Sequence, residues 1–111
     1  MNNKYYQTLQ TIKTCIENIE NYIGSPKIFE QYNDNLLLQQ AVERNLEIIG
    51  EATKRILDIN PNIALSNTRA IINTRNKISH GYDEIENLQI WGIIIKYLPL
   101  LKTEVQSLLD K

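Results

Sequence analysis

The sequence predicts an all-α protein, a bundle of four to five helices in one domain spanning residues 1–111. Three observations carry that reading. Apolar residues recur at intervals of three and four along most of the chain, the period of a helix with one buried face. No stretch sustains the alternation of a half-buried strand, and no hairpin dipeptide sits between strand-like runs. Breaks at Gly24, at "NPN" (60–62) and at Gly81 cut the chain into helix-length pieces.

The first helix carries Tyr5, Leu9, Ile12, Ile16, Ile19 and Ile23 on one stripe and stops at Gly24. Ser25 and Pro26 read as a cap and a first-turn proline, opening a short segment at roughly 26–32. A long helix follows from about Asp34 to Ile59, with Leu38, Val42, Asn45, Ile49, Ala52, Ile56 and Ile59 inward and Leu37, Ala41 and Ile48 widening the stripe. Gly50 lies inside it, where glycine costs about 1 kcal/mol relative to alanine, so a close approach by another helix is expected there. A third helix is predicted over roughly 66–80, capped by Ser66 or Asn67, with Ile71, Ile72 and Ile78 inward and Gly81 as its stop. The last begins near Asp83 or Glu84 and carries Ile85, Leu88, Trp91, Ile94, Ile95, Leu98 and Leu101, with a kink at Pro99. Ile90, Ile93, Ile94 and Ile95 surround its axis. That is more apolar surface than one bundle face uses, which predicts a homodimer.

A hydrophobic content of 42% with 23% charged residues is that of an ordinary globular protein. No apolar run approaches the roughly 18–20 residues of a membrane span, so no membrane association is expected. The start, "MNNKYYQTLQ", lacks the apolar centre and cleavage site of a signal peptide. The single cysteine, Cys15, cannot form an internal disulfide, which suits the cytoplasm. A net charge of −1 argues against a broad DNA-binding face. Yet no acidic residue falls between Asp58 and Asp83, where Arg69, Arg75, Lys77 and His80 all stand. That is the pattern of a confined anion site, or else a chance cluster on a solvated helix.

Most familiar chemistries are excluded by composition. One histidine and one cysteine cannot furnish a zinc site. Glycine-rich phosphate loops and a Gly-x-Ser-x-Gly elbow are absent. Glu43, Glu47 and Glu51 share a helix face, but without Glu-x-x-His pairs they read as a solvated face partnered by Arg44, Lys54 and Arg55. Neither a metal nor a cofactor is expected. The six tyrosines read mostly as packing residues with wet hydroxyls, Trp91 as packing, and Cys15 as inert.

The remaining candidate is "RNKISHGYDE", residues 75–84, which holds the only histidine. Five helical residues turn a side chain through about 140° net, so Arg75 and His80 would not share a face of an ideal helix. They converge if the helix ends at His80 and the backbone turns at Gly81. Arginine supplies a fixed cationic fork for phosphate and histidine a group that titrates near neutrality. Together they suffice for RNA cleavage without a metal: the ribose 2′-OH attacks the adjacent phosphate, His80 moves protons, and Arg75 stabilises charge on the phosphoryl oxygens. A histidine at a helix C-terminus can also merely answer the helix dipole.

"RNKISHGY" resembles the Arg-x4-His-x-Tyr motif of the HepT toxins, a family of the HEPN superfamily, and "AVERNLEIIGEATKRI" (41–56) and "YLPLL" (97–101) resemble two further family segments in the same order. A departure lies before the third helix, where many relatives carry Pro-x-x-x-Trp and this chain has "NPNIALSNTRAI". The resemblance implies a homodimeric HEPN-type bundle and a ribonuclease toxin acting on tRNA or mRNA, with the two motifs facing across the interface. Arg75 and His80 match the catalytic pair, and Asn76 a supporting position. Arg69 and Lys77 are candidate contacts to RNA phosphates. Tyr82 matches the tyrosine to which an MntA-type minimal nucleotidyltransferase, the antitoxin, adds AMP. The alternative is a non-catalytic helical dimer that binds a nucleotidyltransferase or a nucleotide, a role needing neither Arg75 nor His80.

Overall fold

The computed structural model describes residues 3–80 and 86–111. Most of those residues are helical and none is in a strand. The elements are α1 (Asn3–Ile23), α2 (Phe29–Asn33), α3 (Leu36–Ile59), α4 (Thr68–His80), α5 (Asn87–Gly92), a π turn (Ile93–Tyr97) and α6 (Leu98–Leu109). Since α5, the π turn and α6 run on without a break, the described residues form five rods, as the sequence predicts. α3 is the central rod, packed on α1 along one side and α4 along the other, while α6 lies against the far side of α1.

The predicted stripes form most of the core. Leu37 and Ile59 of α3, predicted on its stripe, are instead exposed near the helix ends, and Leu46 is buried in addition. Leu9, Ile12, Ile16 and Ile19 of α1 meet Val42, Leu46, Ile49, Ala52 and Ile56 of α3, all essentially sealed from solvent. Cys15 joins them, and burial pushes its thiol pKa up against the weaker opposing pull of Arg44, consistent with an unreactive thiol. Buried polar side chains find partners: Thr53 and Thr74 donate to the carbonyls of Ile49 and Ala70, and Asn45 links Ala41 to Asn18 of α1. Tyr32 is the exception to the wet-hydroxyl expectation. Its ring is buried against Trp91 at 5.6 Å, and its hydroxyl has no hydrogen-bond partner among the described residues.

Local chemistry shifts several boundaries. Ser25 and Pro26 lie in the bend after Gly24 (φ +74°), and α2 starts only at Phe29. α3 is capped by Asn35, whose side chain accepts from the Leu38 N–H at 3.0 Å. Ser66 does not cap α4, because its N–H and hydroxyl both donate to the Glu104 carboxylate of α6, at 2.9 and 2.6 Å. Asn67 takes the cap position through its carbonyl, which accepts from the Ile71 N–H, on left-handed backbone (φ +61°) that asparagine tolerates. The kink at Pro99 takes the form of the π turn, where the Leu98 N–H reaches back five residues to the Ile93 carbonyl.

The final rod corrects the basis of the dimer expectation. Ile90 and Ile94 are buried within the chain's own core and Ile93 packs on it, leaving Ile95 as the exposed member. Leu88, predicted inward, is 63% exposed, and Ile85 lies outside the described residues. Among the described residues the most exposed large apolar side chains are Leu37 at 77%, Leu36 at 67% and Leu88. α3 runs antiparallel to α4, so Leu36 and Leu37 stand at the His80 end of the bundle. Leu88 stands there too, because an Asn87–Asn33 hydrogen bond of 2.9 Å ties the start of α5 to the end of α2.

Candidate functional site

α4 sorts its residues by angle. At 100° per residue, Ile71, Thr74 and Ile78 fall together on the buried face. Arg69, Asn73, Asn76, Lys77 and His80 fall within about 100° of arc on the opposite side. Four of these five are exposed, and Asn76 is half-buried. Lys77 and His80, in the last described turn, are favourably placed against the partial negative charge of a helix C-terminus.

Arg75 belongs to neither face. It lies on the flank turned to α3, in the hollow left by Gly50, where an added Cβ would overlap the Arg75 Cβ and stand 2.9 Å from its Cγ. The close approach predicted at Gly50 is therefore the seat of the arginine. Its guanidinium is fixed at both tips: Nη1 donates to Asn76 Oδ1 at 2.9 Å, and Nη2 stands 3.7 Å from Glu51 Oε1. The buried Nε has no partner among the described residues, and the side chain keeps 29% exposure. Arg75 thus sits in the body of the helix, half-buried, and not at its end.

The α3 carboxylates answer α4. Glu47 accepts from the Ser79 hydroxyl at 3.0 Å, one turn from the Glu51–Arg75 pair, so two residues four apart on α3 hold two residues four apart on α4. This corrects the solvated-face reading, since among the described residues no ion pair joins Glu43, Glu47 or Glu51 to Arg44, Lys54 or Arg55. Glu43 is the odd member. Burial, and secondarily the neighbouring Glu47 charge, raise its pKa. Burial likewise raises that of the Tyr32 phenol, with Glu43 adding to it.

His80 is exposed and makes no hydrogen bond or ion pair to Arg75 among the described residues. What links the two positions is Asn76, hydrogen-bonded to Arg75 and one helical turn below His80. The asparagine draws the guanidinium around the helix toward the exposed strip. Gly81, on which convergence by a turn was predicted, and Tyr82 both lie outside the described residues. Arg69 and Lys77 share the His80 strip. Sequence reasoning missed Glu51 as the arginine's partner, although its place directly after the anomalous Gly50 was a signal. Among the described residues no group of three or more acidic, His or Cys side chains could hold a metal ion.

The described helices form an all-α bundle of the HEPN class, with Arg75 and His80 carried on a single helix. A family model described as ribonuclease HepT-like matches residues 12–108, and the chain belongs to that family. A protein of Caldanaerobacter subterraneus subsp. tengcongensis, named provisionally as an RNase, is 32% identical over 84 residues, 75% of each chain. One from Methanocaldococcus jannaschii, also named provisionally as an RNase, is 29% identical over 82 residues, 73% of this chain and 68% of its own. A Thermococcus cleftensis protein named provisionally as ribonuclease HepT is 30% identical over 112 residues, 97% of this chain and 98% of its own. No solved structure shows significant similarity to the chain.

Proposed function

We propose that this protein is the ribonuclease toxin of a toxin–antitoxin pair, cutting RNA without a metal ion in the cytoplasm through Arg75 and His80. The observation that carries the reading is the anchoring of Arg75. A guanidinium held in place by Asn76 and Glu51, on the helix that also carries an exposed histidine, supports a prepared phosphate contact. In the reaction the ribose 2′-oxygen attacks the adjacent phosphorus as a neutral His80 accepts its proton. The bond to the 5′-oxygen then breaks and a protonated imidazole returns a proton to that leaving group. The products are a 2′,3′-cyclic phosphate and a 5′-hydroxyl. Arg75 stabilises the charge on the non-bridging oxygens, and Asn76 holds the guanidinium in place. Arg69 and Lys77, along the same strip, contact flanking phosphates.

The active form is a homodimer. Leu36, Leu37 and Leu88 crowd the His80 end of the bundle, so covering them with a second copy brings two motifs toward one cleft. The second histidine can then serve as the acid. The antitoxin is a minimal nucleotidyltransferase of the MntA type. The Tyr82 oxygen attacks the α-phosphorus of ATP, pyrophosphate leaves, and the phenolic proton passes to solvent. The added anion two residues from His80 occupies the phosphate site and repels RNA.

The test is cleavage of labelled RNA in EDTA. Arg75→Ala and His80→Ala should each lose at least about a hundredfold in rate while keeping the helical spectrum of the wild type. Incubation with the nucleotidyltransferase and ATP should add AMP at Tyr82 by mass spectrometry and silence cleavage, and Tyr82→Phe should resist. Near wild-type cleavage by either active-site variant overturns the assignment.

A further inference from the structure

On the flank of α4 away from Arg75, a groove of about 390 Å³ separates this helix from the α5–π–α6 rod. Asn73, Thr74 and Lys77 line one wall, and Gln89, Lys96 and Tyr97 the other. Its size lies within the roughly 300–1,000 Å³ of small-ligand sites. Gln89, Gly92, Ile93 and Lys96 follow at helical spacing on the rod. At Gly92 an added side chain would meet only open space, so the groove stays wide there. Among the described residues no carboxylate lines the groove, and neither Lys77 nor Lys96 enters an ion pair. A second recess, against Arg69, shares Asn73 with it. Arg69, Asn73, Lys77 and His80 therefore make a track along α4 with the groove opening beside it.

We propose that this groove is a binding subsite for a nucleotide of single-stranded RNA flanking the scissile phosphate. Lys77 and Lys96, on opposite walls, take the phosphate. The Tyr97 ring offers an apolar face to the base, and the Asn73 amide supplies a donor and an acceptor to the base edge or the ribose hydroxyl. Gln89, whose Oε1 accepts from the Glu86 N–H at 3.3 Å, adds its amide N–H donors. A phosphate-only site would use the cations and leave the Tyr97 ring and the Asn73 amide without purpose. Lys77 belongs to the His80 strip and to the groove at once, so a strand bound there leads toward the histidine. The inference rests on the ribonuclease reading and adds Lys96, Tyr97 and Gln89 to it.

The experiment is fluorescence anisotropy of a labelled single-stranded RNA, longer than the scissile dinucleotide, on His80→Ala protein over a salt series. Added Lys96→Ala should weaken binding and lower the slope of log affinity against log salt by about 0.7, the loss of one phosphate contact to a single strand. Added Tyr97→Leu keeps apolar volume but removes stacking, and should weaken binding at least about fivefold without changing that slope. Lys27→Ala, in the exposed α1–α2 connection, should change neither. The proposal is overturned if Lys96→Ala, an exposed change that keeps the helical spectrum, retains both affinity and slope. It is also overturned if Lys27→Ala weakens binding equally, which would mean diffuse attraction. Failure of the ribonuclease reading looks different: the wild type cuts no RNA and the His80→Ala protein binds none.

Discussion

Arg75 packs into the space that the missing side chain of Gly50 leaves on α3, so the motif arginine and the glycine of the long helix are two halves of one contact. Gly50→Ala should gain about 1 kcal/mol of helix propensity and lose about 1–3 kcal/mol to overlap with Arg75. The backbone carbonyl of Ile71, 3.3 Å from the added carbon, blocks escape on the other side. The expected outcome is a lower Tm by circular dichroism with loss of RNA cleavage, because α4 must move away from α3 and take the guanidinium with it. An unchanged Tm and unchanged cleavage would show that the helices part without consequence.

Glu51 holds Arg75 without adding much to stability. The pair stands at 3.7 Å with side chains 29% and 39% exposed, a partly solvated geometry worth about 0–1 kcal/mol. Glu51→Gln should therefore leave Tm within a few degrees of wild type. It should lower kcat for RNA by about ten- to a hundredfold, less than Arg75→Ala does, because the guanidinium keeps its bond to Asn76 but loses its second anchor. A kcat at the wild-type value would assign the positioning to Asn76 alone.

The contrast between these two residues explains what the sequence could disclose. Helix periodicity reports burial against the chain's own core, so most of the α1 and α3 stripes, with Ile71 and Ile78 of α4, were legible. The α3 stripe omitted the buried Leu46 and Thr53 and wrongly took in Leu37 and Ile59, near the two helix ends. Gly50 was legible as an anomaly because glycine inside a helix needs a reason. Its partner was not, since which side chain fills a hollow depends on the register between two helices. The carboxylates of α3 were misassigned for the same reason: within one helix, bases one turn away are the nearest partners, and only α4 brings Arg75 and Ser79 across. On the final rod, Pro99 announced a break. The π turn realises it, but the misplaced stripe has another cause. The steps of three from Ile85 through Leu88 and Trp91 to Ile94 each fall about 60° short of a full turn. The stripe therefore drifted to Leu88 and passed over Ile90, four residues before Ile94 on the buried face.

Glu43 should carry a pH-dependent cost. Its pKa is raised in the folded state by burial first and by Glu47 second, so the folded protein binds this proton more tightly than the unfolded chain. Stability is then highest below the ordinary carboxylate range and falls as pH rises through the folded value, with the full cost present above it. Glu43→Gln removes that cost. It should raise Tm at about pH 7, with the advantage shrinking toward about pH 4, where the wild-type carboxyl is itself protonated. An equal gain at both pH values would mean that the amide stabilises by some contact unrelated to charge.

The last prediction concerns Leu37 and Leu88. Both project into solvent at the end of the bundle that carries His80, and each would contribute about 1.5–3 kcal/mol if a second copy covered it. The isoleucines of the final rod cannot drive association, because Ile90 and Ile94 are already spent on the chain's own core. The double variant Leu37→Asp, Leu88→Asp should therefore convert a dimer of 12.9 kDa chains into a monomer by light scattering, with its helical spectrum intact. An aspartate buried against its symmetry mate loses hydration and meets like charge, whereas on a free monomer it stays in water. Cleavage should fall with the dimer, since one chain offers a single histidine to both proton transfers. Ile95→Asp, an exposed change on the other apolar candidate, should leave the mass unchanged. Dissociation by Ile95→Asp and not by the leucine pair would move the interface to the final rod. A wild-type protein that scatters as a monomer at micromolar concentration would remove the dimer altogether.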